Sequence, residues 1–194
     1  METTFPQIYK SGVFQAIESV DLDRVSEAIS ILAKARDEDR RIFVCGNGGS
    51  ASSASHFACD IVKGASYKRS KRFRIMALTD SLPVITAYSN DVSYECVFAE
   101  QLKNFAQPGD VLVAISGSGN SPNVLRAVEY ANSIGCTTIA LSGRDGGKLG
   151  PLAQLNIQAS VPHMGRIEDA HMIVLHMISY YFMDQEGAGQ SAAT

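Results

Sequence analysis

Two apolar runs each lead straight into a short glycine-rich loop. Arg41-Ile42-Phe43-Val44-Cys45 continues as Gly46-Asn47-Gly48-Gly49-Ser50, and Val111-Leu112-Val113-Ala114-Ile115 continues as Ser116-Gly117-Ser118-Gly119-Asn120-Ser121. A helical pattern follows each loop. Strand, tight turn and helix form a βα unit, and repeated βα units require a parallel sheet covered on both faces. The same arrangement makes an anion site. Glycines let the backbone approach a ligand, the first helical N–H groups point at it, and the helix dipole favours negative charge. The serines of the second loop add hydroxyl donors. One glycine-rich loop alone reads equally well as a turn and helix cap. Two in one chain, one of them serine-rich, point to a ligand that carries phosphate.

The rest of the chain repeats the unit. Strands are expected near 41–45, 73–78, 110–115, 137–142 and 155–161, with helices near 50–64, 81–89, 93–105, 121–134 and 166–185. The strand runs are continuously apolar, as in a parallel sheet buried on both sides. Before the first strand, helical spacing runs from about Ile8 to Val20 and again from Leu22 through Val25, Ala28, Ile29 and Leu32. This pair has no strand between its helices, so it packs on the sheet or on a partner subunit. The fold class is α/β: a three-layer, doubly wound sandwich with an N-terminal helical pair.

With 194 residues, one domain is the natural expectation. A net charge of −3 gives no support to nucleic-acid binding, and the basic run Lys68-Arg69-Ser70-Lys71-Arg72 reads as a solvated loop. No apolar run is long enough to span a bilayer, and Met1 to Ser11 lacks a signal-peptide pattern. Cys45, Cys59, Cys96 and Cys136 have no metal or redox spacing, which implies a reduced, cytoplasmic protein. The first loop lacks the third glycine of a dinucleotide fingerprint, which argues against a nicotinamide cofactor.

Candidate chemistry lies on two helices. His56 and Asp60 are four apart and share a face, and the last helix carries Glu168, Asp169, His171 and His176. Singly, each has an ordinary explanation: a surface ion pair, first-turn acids favoured by the dipole, or a core histidine. His171, among apolar residues and without a loop partner, reads as structural. As a set, imidazoles and carboxylates suit a divalent metal such as zinc, or general acid–base catalysis. Glu168 and His176 are eight apart, about 12 Å along a helix axis, so they share one ion only through extended side chains or across subunits.

The chain resembles the SIS-domain sugar isomerases, and within them the sedoheptulose 7-phosphate (phosphoheptose) isomerases. The resemblance rests on Cys45-Gly46-Asn47-Gly48-Gly49-Ser50, His56-Phe57-Ala58, Asn90-Asp91, Ile115 to Ser121, Asp145-Gly146-Gly147-Lys148 and Arg166-Ile167-Glu168-Asp169-Ala170-His171. The small, polar residues 187–194 read as a flexible tail, which leaves a single SIS domain over residues 1–186, and the resemblance implies a flavodoxin-like five-stranded parallel sheet and a homotetramer with sites at subunit interfaces. It implies an aldose–ketose isomerase that converts sedoheptulose 7-phosphate into D-glycero-D-manno-heptose 7-phosphate. The implied substrate contacts are Asn47, Gly48, Gly49, Asn90, Asp91, Ser116, Gly117, Ser118, Ser121 and Glu168. One divalent metal per subunit, zinc where the family has it assigned, would use His56, Asp60, Glu168 and His176. Asp60, Glu168 and His176 are the implied catalytic residues, a carboxylate as base and His176 as acid. Asp60 stands where the family has Glu, and Glu168 where it has Gln. The alternatives are a non-catalytic SIS protein binding a sugar phosphate or a protein partner, and an isomerase of a different phosphosugar. A catalytic chain keeps its acid–base set, as this one does.

Overall fold

The computed structural model describes residues 4–185. Helices α1 (Phe5–Glu18) and α2 (Leu22–Asp37) precede β1 (Arg41–Gly46). There follow α3 (Gly49–Cys59), β2 (Arg74–Ala77), α4 (Leu82–Asp91), α5 (Val97–Phe105) and β3 (Val111–Ser116). The chain then forms α6 (Pro122–Ser133), β4 (Thr137–Gly143), a short α7 (Leu149–Leu152), β5 (Leu155–Ala159) and α8 (Met164–Tyr180). The tail expected over 187–194 lies outside the described residues.

All neighbouring strands are parallel, in the order β2-β1-β3-β4-β5. The continuous apolar runs have a simple cause. Side chains alternate between faces along a strand, and here both faces are covered. Ile42 and Val44 pack with α1, α2, α3 and α8, whereas Phe43 and Cys45 pack with α5 and α6. This is the expected three-layer sandwich, with the N-terminal pair on one face of the sheet.

Local chemistry sets several element ends. The Gln7 side chain accepts from the Thr4 N–H and starts α1 earlier than apolar spacing alone suggests. The expected helix over 93–105 begins as a 3₁₀ turn, Tyr94–Cys96, capped by the Ser93 hydroxyl. Helix α3 continues as a π-helical segment, Asp60–Ala65, and α8 does the same over Tyr181–Gln185. The Ser66 hydroxyl bonds the Ile61 carbonyl and accepts from the Phe73 N–H, which closes the first π segment. No described helix is long and apolar enough to cross a membrane.

In a sheet of this order, the chain leaves β1 in one direction and returns to β3 on its other side. A crevice opens between the loops that follow those two strands. Register brings the loops level, because Gly46 pairs with Ile115.

Candidate active site

The first loop turns at Gly48, whose φ of 54° suits glycine, and Gly49 begins α3. Asn47 ties this loop to its neighbour. Its amide exchanges two hydrogen bonds with Asn123 at the start of α6, at 2.8 and 2.9 Å, and its Oδ1 also accepts from the Tyr94 hydroxyl at 2.8 Å. Neither Asn123 nor Tyr94 stands out in the sequence, because their role depends on a partner far along the chain.

In the second loop, Ser116 Oγ lies 3.2 Å from Ser121 Oγ and 3.5 Å from Ser118 Oγ. Ser121 is the N-cap of α6 but makes no side-chain cap bond, so its hydroxyl faces the other serines rather than the helix amides. The loop is braced from behind by the turn after β4. Gly119 and Gly147 interlock so closely that a Cβ on Gly119 would lie 2.2 Å from the Gly146 carbonyl oxygen. Asn120 Oδ1 accepts from the Lys148 N–H, and the Leu149 N–H donates to the Gly119 carbonyl. The Asp145-Gly146-Gly147-Lys148 motif therefore holds the serine loop in shape.

Between the loops lies a cavity of about 280 Å³, lined by Asn47 to Ser50, Ile115 to Ser118, Ser121, Met164 and Glu168. Its donors are hydroxyls and helix-start amides, and among the described residues Glu168 is the one charged side chain in the lining. Helix α8 closes the cavity with two side chains one turn apart. The Glu168 carboxylate fills the space a Cβ on Gly49 would need (2.8 Å to Oε1), and the Met164 sulfur does the same at Gly117 (2.6 Å). Met164 was not legible as a site residue, since nothing in sequence places it against Gly117. A larger groove of about 570 Å³ lies between β2, α4 and α5, but it shares no lining residue with the loops.

Further down α3 and α8, His56, Asp60 and His176 come together. His56 Nε2 is 3.2 Å from His176 Nε2, and the two lie 3.4 and 3.7 Å from Asp60 Oδ2. Two imidazoles and a carboxylate, each offering a ligand atom within 4.8 Å of the others, fit a divalent cation such as zinc. Asp60 opens the π segment of α3, a distortion often found at functional sites. Glu168 does not join this group. It lies two turns up α8 with its carboxylate against Gly49, so within one chain three of the four residues implied by the resemblance come together and Glu168 stands apart from them.

Asn90 and Asp91 are exposed at the end of α4, hydrogen-bonded to each other at 2.8 Å, and do not line the cavity. His171 is buried, with Nε2 donating to the Ser142 carbonyl at 2.8 Å. Burial pushes its pKa down to about 4, against the opposing effect of that bond, so it is a neutral strut. The four cysteines are free, and burial raises the Cys45 thiol to about 12, so it is inert.

Comparison with known proteins follows the same lines. The model of the SIS domain matches residues 9–143. The phosphoheptose isomerase of Helicobacter pylori is 35% identical, over 88% of this chain and 88% of its own length. That of Aliarcobacter butzleri is 36% identical, over 88% and 89%. The solved phosphoheptose isomerase of Neisseria gonorrhoeae superposes with a TM-score of 0.80 at 32% identity, over 88% of this chain and 90% of that one.

Proposed function

Because the chain belongs to the SIS domain family, among the phosphoheptose isomerases, we propose that it isomerises sedoheptulose 7-phosphate to D-glycero-D-manno-heptose 7-phosphate. The observation that carries this reading is that α3, with the π segment that continues it, and α8 carry both a wall of the serine-loop cavity and the His56–Asp60–His176 group. The serine-loop cavity suits a phosphate, and the His56–Asp60–His176 group lies about 12 Å further along α8, counted from Glu168 to His176. An extended seven-carbon chain held by its phosphate at one end presents its carbonyl end toward the other.

In this reading Ser116, Ser118 and Ser121 grip the phosphate, with the start of α6 adding its dipole. Asn47, Gly48, Gly49 and Glu168 contact the sugar. Asp60 takes the proton from C1 while His176 Nε2 gives one to the carbonyl oxygen on C2, forming an enediol. Return of a proton to C2 and loss of the O1 proton leave the carbonyl on C1. Asp60 Oδ2 and His176 Nε2 are 3.7 Å apart, close enough to serve adjacent atoms of one substrate. His56, Asp60 and His176 would also hold a divalent metal, zinc by donor chemistry, one per subunit; a ring nitrogen or carboxylate oxygen bound to the ion would not be the atom that moves a proton, so His176 and Asp60 would ligate through their other donor atoms. When bound, such an ion supplies positive charge to polarise a carbonyl.

The assembly is read as a homotetramer with sites at its interfaces, where Asn90 and Asp91 approach substrate. Two observations support it. Phe5, Phe14 and Leu22 on the N-terminal helices are 71%, 55% and 58% exposed, and among the described residues no Lys or Arg lines the phosphate cavity. A cytoplasmic location follows from the same reading of a biosynthetic enzyme with free cysteines.

The test is incubation with sedoheptulose 7-phosphate in deuterated water, followed by NMR. Loss of ketose with deuterium at C2 of the aldose is expected. Asp60→Asn and His176→Ala are each expected to lower kcat by about 100-fold or more, and Glu168→Gln to act mainly on KM. Exchange that survives Asp60→Asn but is lost in Glu168→Gln would move the base to Glu168. Tight binding without turnover would make the protein a sensor.

A further inference from the structure

Met164 is not explained by the reaction. It begins α8 and lies one turn before Glu168, and both side chains drop into notches left by glycines. Glu168, a carboxylate in the cavity lining, has sugar hydroxyls to accept from in the proposed function. Met164 is a thioether in a cavity otherwise walled by serine hydroxyls, glycine backbone and an asparagine, with the buried Ile115 as the other large apolar lining residue. Its sulfur fills the place of a Cβ at Gly117, between Ser116 and Ser118. A phosphate held by those serines is fully polar and gains nothing from a thioether. The atom beside it in a phosphosugar is the phosphoester methylene, which does gain from apolar contact.

We propose that Met164 is a specificity-determining residue. Its side chain is the apolar wall against which the phosphate-bearing carbon of the substrate packs, and Gly117 is side-chain-free so that the wall can sit that close. This rests on the phosphosugar reading of the same cavity. It assigns Met164 a part in recognising the carbon skeleton, distinct from recognition of phosphate. Gly117 does not have a left-handed φ. A Cβ at 117 would first meet the Met164 sulfur, near the end of a flexible side chain, and then Ile167 Cγ2 at 3.4 Å, so a side chain there displaces the thioether rather than straining the backbone.

Calorimetric titration of the intact protein with inorganic phosphate and with sedoheptulose 7-phosphate separates the two kinds of recognition. Met164→Ala is expected to weaken sugar-phosphate binding by about fivefold or more, the scale of one or two methylene contacts, and to leave inorganic phosphate binding within about twofold. Gly117→Ala should also weaken the sugar phosphate, because the new Cβ displaces the sulfur. In the Gly117→Ala, Met164→Ala double variant the new methyl refills the vacated notch, so the two penalties should combine to less than their sum. Equal loss of both ligands in Met164→Ala would show a structural role and overturn the proposal. So would unchanged binding of both, or strictly additive penalties in the double variant. If the unmodified protein turns over the sugar phosphate while Met164→Ala binds it normally, the Met164 assignment alone fails. If the unmodified protein neither binds nor converts it, the functional reading fails.

Discussion

At the scale of single residues, chemistry and burial divide the histidines. His56 and His176 face each other on two helices, whereas His171 is buried and bonded to the Ser142 carbonyl. An uncharged His171 has a measurable consequence. The folded protein keeps the imidazole neutral down to about 4, while an unfolded chain takes up the proton near the ordinary 6.5. Between those values the unfolded state binds more protons, so stability is intact above the upper value and is lost as pH falls toward the lower one. The slope from this one group is at most about 1.4 kcal/mol per pH unit. His171→Gln should flatten the acid dependence of the urea midpoint over that window. A variant with the same slope as the unmodified protein would show that His171 does not carry it. Residue type and spacing were enough to read His171 as structural and His56 and Asp60 as a pair. The strut to Ser142 was not legible, because it joins positions 29 residues apart.

At the scale of elements, the strands were read within a few residues because both faces of each strand meet a helix layer, which leaves an unbroken apolar run. The π segments were not read. One added residue per turn leaves the apolar spacing of a short segment almost unchanged, and distant packing holds it: Gly64 lies so close to Met183 that a Cβ would come within 2.2 Å of its terminal methyl. The serine loop depends on a second element in the same way. Gly119 has a φ of +65° and lies against the Gly146 carbonyl. Gly119→Ala meets both a left-handed backbone and a backbone clash, and is expected to cost about 2 kcal/mol or more. It should also weaken phosphate binding, because the loop must move to accept the methyl. Equilibrium unfolding and phosphate titration of the variant check both effects; a loss under about 0.5 kcal/mol would mean the two loops are not interlocked as described.

At the scale of the whole molecule, strand order decides where chemistry can happen. Placing β1 beside β3 brings loops some seventy residues apart to one crevice, and α8, which follows the last strand, crosses back to wall it. That crossing puts His176 beside His56 while leaving Glu168 at the phosphate end. Zinc binding is a direct check. Added zinc should raise the unfolding temperature of the protein by mass action, His56→Ala should abolish the increase, and Glu168→Gln should retain it. Loss of the increase in Glu168→Gln would return Glu168 to the ligand set. By itself, the sequence determined the βα units, the two-faced burial of the sheet, the phosphate-suited loop and the residue types available for catalysis, since these depend on local spacing and side-chain chemistry. Only the tertiary structure decided which of those residues meet. The partition of Glu168 from the His56–Asp60–His176 group, the Asn47–Asn123 tie and the seat of Met164 on Gly117 all depend on distances between chain-distant atoms, and helical or strand periodicity carries no record of those.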